Sequence, residues 1–571
     1  MIKKYFNNPF SESIFRNKYA QGPNDTWGCL AIRVVEDVCG GNMPLMSKED
    51  RKQLTQYIED FKFIPAGRYL WYAGRKNHYY NNCYLLKAEY DTREEWADLT
   101  QRAVSCLMTG GGIGIDYSIL RPSGKPLSRT GGLSSGPIPL MQMINEVGRG
   151  VMQGGSRRSA IYASLNWQHE DIYDFLKAKN WTPQIRSLKE EDFNFPAPLD
   201  MTNISVNYDD AALVGISRTI KTYKIAGSNP EYNKINDKVF FDSVNILAEN
   251  PIFLENCKQA LKTGEPGFSF NFGDKQNETL RNACCEVTSE DDSDVCNLGS
   301  INISNIESLE EFKSVVTLSS KFLVCGTLRA DLPYEKVYKI REKNRRLGLG
   351  LMGIHAWLLK RGQDYEVTPE LHKWLKVYKD ESERAANEHC NHLYISKPVA
   401  YRAIAPTGTI GILASTTTGI EPLYAVAYKR RYLTNGTKWK YEYVVDTTAD
   451  TLIKQYGIDP QNIETAYKLS NDYEKRIKFQ ADIQDYVDMS ISSTINLPSW
   501  NKTDNNDKRV EEFSRVLSSY AQRLRGFTCY PDGSRGGQPL TEIDYYDAIK
   551  HRGVVFEENI DKACTGGVCG I

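Results

Sequence analysis

Residues 281–304 read RNACCEVTSEDDSDVCNLGSINIS. Asn282, Cys284 and Glu286 stand two residues apart in it. On a strand or extended loop that period puts their side chains on one face, with Cys285 on the other. A thiol between an amide and a carboxylate has chemical uses. The carboxylate can take a proton from a substrate hydroxyl, and the amide can orient a second hydroxyl or bind developing charge. Cys296 follows in CNLGSINIS, a loop leading into an apolar run. The same spacing also suits a buried strand with inert thiols, since free Cys is among the most buried residue types.

From about 63 to 540 the chain alternates short apolar runs, Gly-rich turns and amphipathic helices. NCYLL, GIGIDYSIL, SAIYASL and RAIAPTGTIGIL read as buried strands or strand ends. DIYDFLKAK, PELHKWLKVYKDESERAANEH and DKRVEEFSRVLSSYAQRLR read as helices. Such alternation predicts an α/β class with a largely parallel sheet or barrel over residues 63–540. Residues 1–62 read as a helical N-terminal region, where Ser47 and Asp50 resemble a capping box ahead of LTQYIEDFKF. Residues 541–571 form a polar tail ending CTGGVCGI, expected to be mobile. No internal repeat is evident.

The 571 residues are 41% hydrophobic and 25% charged, ordinary for a soluble globular protein. A net charge of -1 gives no global basic field for direct nucleic-acid binding. Any phosphate must be held by a local site. No apolar h-region follows MIKKYFNNPFSES, and no apolar run reaches the roughly 18 residues of a membrane span. A cytoplasmic protein is expected. Thirteen cysteines are an odd number, too sparse for a secreted disulfide scaffold.

Three further motifs bear on chemistry. Cys564 and Cys569 form C-x4-C around Gly566 and Gly567, a dithiol suited to thiol exchange on a tether that spans roughly 25 Å. Two Cys without other ligands do not fill four zinc positions, so no metal site is expected. In APTGTIGIL, Thr407, Gly408, Thr409 and Gly411 can cradle phosphate with backbone N–H groups and hydroxyls, without a Walker lysine. GLGLMG at 348–353 fits G-x-G-x-x-G but follows KNRR, which favours a tightly packed helix start over a dinucleotide site. His389, Cys390 and His392 lie in a charged helix end and read as surface.

Asn-x-Cys-x-Glu followed by Cys-Asn-Leu-Gly-Ser-Ile-Asn resembles the active-site segment of ribonucleotide reductases. YNNCYLL, GGGIGID, TGGLSSGPIPLM, QGGSRRSAIYASL, NRRLGLGLMGIHAWL, APTGTIGILASTTTGIEPLY and MSISSTINLPSW resemble other segments of that family, in its order. The resemblance runs from about residue 9 to the C-terminus. It implies a ten-stranded α/β barrel of the thiyl-radical type that reduces ribonucleotides, as di- or triphosphates, to deoxyribonucleotides.

By that resemblance Cys284 is the thiyl radical that abstracts the ribose 3′ hydrogen. Glu286 takes the 3′-hydroxyl proton and Asn282 hydrogen-bonds nearby. Cys83 and Cys296 supply two reducing equivalents and become a disulfide. Cys564 and Cys569 re-reduce them and are themselves reduced by a thioredoxin- or glutaredoxin-like protein. Thr407, Gly408, Thr409 and Gly411 face the substrate phosphates, and Asn82 and Gly112 are further substrate contacts. Asp91, Arg121 and Arg129 resemble contacts of a specificity site for a dNTP or ATP effector, a site that lies at a homodimer interface.

The family makes its radical in three ways. The glycyl-radical pattern is missing here. At the position of the tyrosine relay the chain reads GFTCYPDGSRGG, with Pro531 after Tyr530. That segment resembles the Tyr-x-Asp-Gly-Ser-Arg of adenosylcobalamin-dependent reductases, which makes adenosylcobalamin the expected cofactor. The alternatives are a large subunit served by a separate metal-containing subunit, a silent nucleotide-binding regulator, and a formate-lyase type of barrel enzyme. Core-like sequence starts near Asn8, so no ATP-cone domain is expected ahead of it.

Overall fold

The computed structural model describes residues 5–6, 9–129, 131–151, 159–192, 195–214, 246–434, 438–502, 505–534, 540–552 and 554–557. Its strands, in chain order, begin with β1 (Phe63–Pro65), β2 (Cys83–Lys87), β3 (Gly112–Asp116), β4 (Ile161–Asn166), β5 (Thr202–Tyr208) and β6 (Gly267–Phe270). A two-residue hairpin follows, β7 (Leu280–Arg281) and β8 (Thr288–Ser289). Then come β9 (Asp294–Asn302), β10 (Leu347–Met352), β11 (Ala427–Thr434), β12 (Lys438–Val445), β13 (Thr494–Leu497), β14 (Gly526–Pro531), β15 (Leu540–Glu542) and β16 (Val555–Glu557).

Ten strands form one sheet in the order β1-β9-β2-β3-β4-β5-β6-β14-β13, with β10 also on β9. Strands β2 to β6 are parallel throughout. So are β9 with β10 and β13 with β14. The two parallel groups meet antiparallel at β2/β9 and at β6/β14. Between β10 and the stretch leading into β13, single bridges carry the circuit round, Leu349 to Arg402 and Ile404 to Ile491. The sheet thus has the expected ten strands, counting β1 beside β9, and the single bridges link its two ends along a seam without ladders.

Parallel strands covered on both faces read as continuous apolar runs. All nine residues of β9 are buried. Two large apolar clusters lie under the helices. A small third one, which includes Cys83, Leu85, Leu280, Val287, Cys296 and Met489, unites residues of β2, β9 and the β7–β8 hairpin. The N-terminal helices Trp27–Cys39 and Lys48–Glu59 pack on helix Leu309–Arg329. Ser47 caps the second by accepting from the Asp50 N–H at 3.0 Å, while the Asp50 carboxylate turns away to Lys321, 2.9 Å distant. A separate antiparallel sheet, β15-β11-β12-β16, joins the C-terminal part.

Three sequence expectations need correction. RAIAPTGTIGIL is no strand: Arg402 and Ile404 make single bridges, and helix Gly408–Leu413 follows. GLGLMG holds most of β10 before the helix start at Gly353, whose φ of 76° suits glycine. Its Gly348 is needed because a Cβ there would meet Leu298 Cδ2 at 2.2 Å and Cys296 Sγ at 3.1 Å. His389 and Cys390 are not on the surface: both are buried, and only His392 is exposed. The face of helix Pro369–His392 that packs on helix Leu309–Arg329 carries them inward.

Candidate active site

The hairpin of β7 and β8 carries the 282–286 segment into the ring. Its entry depends on Gly114 of β3, where a Cβ would lie 1.6 Å from the Arg281 carbonyl oxygen. On the far side, a Cβ on Gly526 at the start of β14 would lie 3.6 Å from Cys285 Cβ. The Glu286 carbonyl accepts from Ser490 N–H at 2.9 Å, and Asn203 Nδ2 of β5 donates to the Ala283 carbonyl at 3.1 Å. The hairpin is therefore tied to both halves of the ring.

Its base is held by charge. Arg281 is 1% exposed and donates to Asn271 Oδ1 at 2.6 Å and to the Arg525 carbonyl at 3.2 Å. Burial, with Arg525 adding to it, lowers the Arg281 guanidinium to about 10. Glu278 pairs with Arg525 at 3.0 Å and accepts from Thr288 Oγ1 at 2.5 Å. Asp294 and Arg346 pair at 2.6 Å, joining β9 to the start of β10. Sequence reading singled out none of these residues. The arginine in RNACCE, directly before the Asn-x-Cys-x-Glu motif, was the available signal.

The segment is a turn rather than a strand. Cys285 N–H donates to the Asn282 carbonyl at 2.9 Å, and Cys285 has a φ of 67°. Thus the alternation expected for 282, 284 and 286 does not hold. The turn nevertheless brings the end residues together. Asn282 Nδ2 donates to Cys83 Sγ at 3.0 Å, Asn282 Oδ1 accepts from Val287 N–H at 2.9 Å, and Cys83 Sγ lies 3.8 Å from Glu286 Oε1. Cys284, at the tip, is half-buried.

Cys83 and Cys296 are directly opposed across the antiparallel β2/β9 pair. Opposed residues on such strands have Cα atoms roughly 4.5–5.5 Å apart, within the range a disulfide spans. Both are free thiols here. Burial pushes Cys83 up, with Glu286, Cys296 and Cys284 adding to it. Burial also pushes Cys296 up, together with Asp294. Both are therefore neutral thiols at neutral pH. Burial raises the Glu286 carboxyl to about 7, against the hydrogen bonds from Asn282 and Cys83, and its Oε2 has no hydrogen-bond partner.

Gly112 and Asn82 adjoin this cluster. Gly112 pairs with Cys83, its N–H donates to the Asn82 carbonyl at 2.8 Å, and a Cβ on it would lie 3.3 Å from Ala283 Cβ. Asn82 Oδ1 is buried without a partner. Thr407 has a φ of 54° and caps the short helix at Gly408, with open space where a Gly408 Cβ would be. Its hydroxyl accepts from Gly419 N–H at 2.8 Å. Thr409 is half-buried, and Gly411 is buried under Thr418.

Asp91 and Arg121 form an ion pair with each other, and Arg129 is exposed. Cys564 and Cys569 lie outside the described residues. Among the described residues no group of three or more His, Cys, Asp or Glu is placed to hold a metal ion, and no helix is long and apolar enough to cross a membrane.

The barrel domain of ribonucleotide reductases matches residues 81–374 and 399–530. The chain belongs to that family. This reductase is 25% identical to a vitamin B12-dependent ribonucleoside-diphosphate reductase of Mycobacterium tuberculosis, over 92% of its own length and 76% of the relative's. A Mycobacterium phage D29 protein, provisionally named an adenosylcobalamin-dependent ribonucleoside-triphosphate reductase, is 23% identical over 99% of both chains. A ribonucleoside-diphosphate reductase subunit alpha of Synechocystis is 24% identical over 51% of the reductase and 41% of the relative.

Proposed function

We propose that this reductase converts ribonucleotides to 2′-deoxyribonucleotides with a radical started by adenosylcobalamin. The observation that carries the reading is the convergence of Asn282, Glu286 and Cys83 beneath the half-exposed Cys284, with Cys296 opposite Cys83. Support for the cofactor comes from similarity to B12-dependent relatives over nearly the whole chain, against about half for the subunit-alpha relative.

A cleft of about 150 Å³ fits part of such a cofactor. Tyr424, Tyr467, Asn471, Asn496 and Tyr530 line it, with Asp532 as its one acidic side chain. Amides and phenols suit a large group fringed with amides. Asn496 and Tyr530 pair across β13/β14, and their strand face runs back past Thr528 to Gly526, beside Cys285. Bound there, adenosylcobalamin supplies a weak cobalt–carbon bond as the radical source.

The chain's own residues do the rest. Cys284, as a thiyl radical, takes the 3′ hydrogen atom. Glu286, with its carboxyl near 7, takes the 3′-hydroxyl proton at neutral pH. The 2′-hydroxyl leaves as water with a proton from the thiol pair. Cys83 and Cys296 give up two electrons and two protons, one into that water and one to C2′, and become a disulfide; Cys284 returns the 3′ hydrogen atom and Glu286 the 3′-hydroxyl proton. One ribonucleotide and one dithiol thus yield one deoxynucleotide, one disulfide and one water.

Asn82, Gly112 and the 407–411 turn hold the substrate, the turn taking its phosphates. Cys564 and Cys569 restore the internal dithiol from a thioredoxin- or glutaredoxin-like protein. An effector nucleotide at Asp91, Arg121 and Arg129 has to share or open the Asp91–Arg121 pair, at a homodimer interface. The decisive experiment supplies purified chain with adenosylcobalamin, dithiothreitol and a ribonucleoside di- or triphosphate. Deoxynucleotide is expected, and none from Cys284→Ser. Activity only with a metal-loaded second subunit replaces the cofactor reading.

A further inference from the structure

Three helices bring reactive side chains to one point outside the β7–β8 hairpin. Cys39 ends helix Trp27–Cys39, Cys325 lies in helix Leu309–Arg329, and His389 lies in the last turn of helix Pro369–His392. Cys325 Sγ is 3.4 Å from His389 Nε2. Arg329, one turn beyond Cys325, reaches the carbonyl of Gly40, the residue after Cys39, and Cys39 and Cys325 lie close enough to act on each other. Both sulfurs sit in a large apolar core, which also holds the Cys390 thiol. Packing alone has no need of two thiols and an imidazole there, and burying polar groups costs stability.

The surroundings make the two sulfurs unequal. Arg329 donates to the carbonyls of Gly40 at 3.0 Å and Met43 at 2.8 Å, which holds its charge beside the cluster. Burial pushes Cys325 up, but the hydrogen bonds from Cys39 and His389 outweigh it and bring the thiol down. Burial and Cys325 push Cys39 up. Cys325 is thus the readier of the two to give up its proton, and His389 Nε2 lies 3.4 Å away to take it.

We propose that Cys39 and Cys325 form a second redox pair, which hydrogen peroxide converts to a disulfide joining helix Trp27–Cys39 to helix Leu309–Arg329. The Cys325 thiolate attacks one peroxide oxygen and the O–O bond breaks. Cys325 becomes a sulfenic acid, and the hydroxide leaves as water with the His389 proton. Cys39 sulfur then attacks Cys325 sulfur as His389 takes the Cys39 proton. The S–O bond breaks, and that proton leaves with the hydroxide as a second water. Two thiols and one peroxide give one disulfide and two waters. The bridge has a short path to the inner pair. Next to Cys325, a Cβ on Gly326 would strike Tyr69 Oη and approach Asn297 Nδ2 to 3.0 Å, and the Asn297 carbonyl accepts from Cys296 Sγ at 3.3 Å.

The test uses the full-length chain, reduced, desalted and exposed to equimolar hydrogen peroxide. Free thiols are then blocked with N-ethylmaleimide, and the digest is mapped by mass spectrometry. A linked Cys39–Cys325 peptide is expected, and dithiothreitol should reverse it. His389→Gln, checked for a wild-type melting curve, should slow its formation at least tenfold while Cys83–Cys296 linkage keeps its rate. Finding Cys39 and Cys325 both blocked as thiols after Cys83 and Cys296 have linked overturns the proposal. So does Cys325 halted as a sulfinic acid beside free Cys39, or an unchanged rate in His389→Gln.

Discussion

Asn282 donates a 3.0 Å hydrogen bond to Cys83 Sγ while its carbonyl oxygen accepts from Val287 N–H. One amide thereby fixes both the direction of a thiol and the shape of the turn that presents Cys284. Asn282→Ala removes both functions and leaves the Val287 N–H buried and unpaired, at a cost of about 1–3 kcal/mol. Urea unfolding should show that loss. In kinetics kcat should fall at least about tenfold with a smaller change in KM, since the amide acts at the reacting groups.

Glu286 makes stability depend on pH. Its carboxyl is raised by burial from 4.5 to about 7 in the folded chain. The folded state therefore favours the protonated acid, and stability falls as pH rises from about 4.5 through about 7. Glu286→Gln lacks this titration. At pH 8 it should be the more stable protein by on the order of 3 kcal/mol, with no gain at pH 4. Melting temperatures of both proteins across that range check the sign. Turnover should rise with pH through about 7 in the wild type and be lost in the variant.

Cys83 and Cys296 should be linked after one turnover without reductant, which peptide mass mapping reads directly. Cys564→Ser combined with Cys569→Ser should abolish reduction by a dithiol protein yet leave turnover with dithiothreitol within about twofold of wild type. Equal loss with both reductants removes the tail from the cycle.

Gly114 tests how the hairpin enters the ring. A Cβ 1.6 Å from the Arg281 oxygen cannot be accommodated without moving backbone. Gly114→Ala should cost about 3 kcal/mol or more, or displace the hairpin and abolish activity in a folded chain. Gly124→Ala, where a Cβ meets nothing within 4 Å but φ is 79°, should cost only about 1 kcal/mol. Thermal unfolding of the two variants separates them.

Much of this was legible in the sequence, for uneven reasons. Apolar runs marked β2, β3 and β4 because strands covered on both faces need unbroken apolar residues. Thiol, amide and carboxylate types pointed to residues that the turn does bring together. The turn at 282–286 was not legible, because period-2 spacing also fits a tight turn, and only the third dimension shows Cys285 at positive φ. Glycine-rich β10 imitates a nucleotide loop because close strand packing and phosphate approach both require missing side chains. Charged letters hid the burial of His389 and Cys390: they lie on the inner face of a helix whose other face is charged.

The seam between β10 and β13 has a mechanical meaning. Where Leu349 meets Arg402 and Ile404 meets Ile491, single bridges replace ladders. Few paired amides per strand make local opening easier there than across β2 and β9. The 407–411 turn begins three residues past Ile404, whereas Cys83 and Cys296 sit on the laddered β2/β9 pair, one strand beyond β10. On the function proposed above, the ring yields beside the turn that would take the substrate phosphates and stays fixed at the thiol pair, so substrates of different base size would shift the first and leave the second aligned.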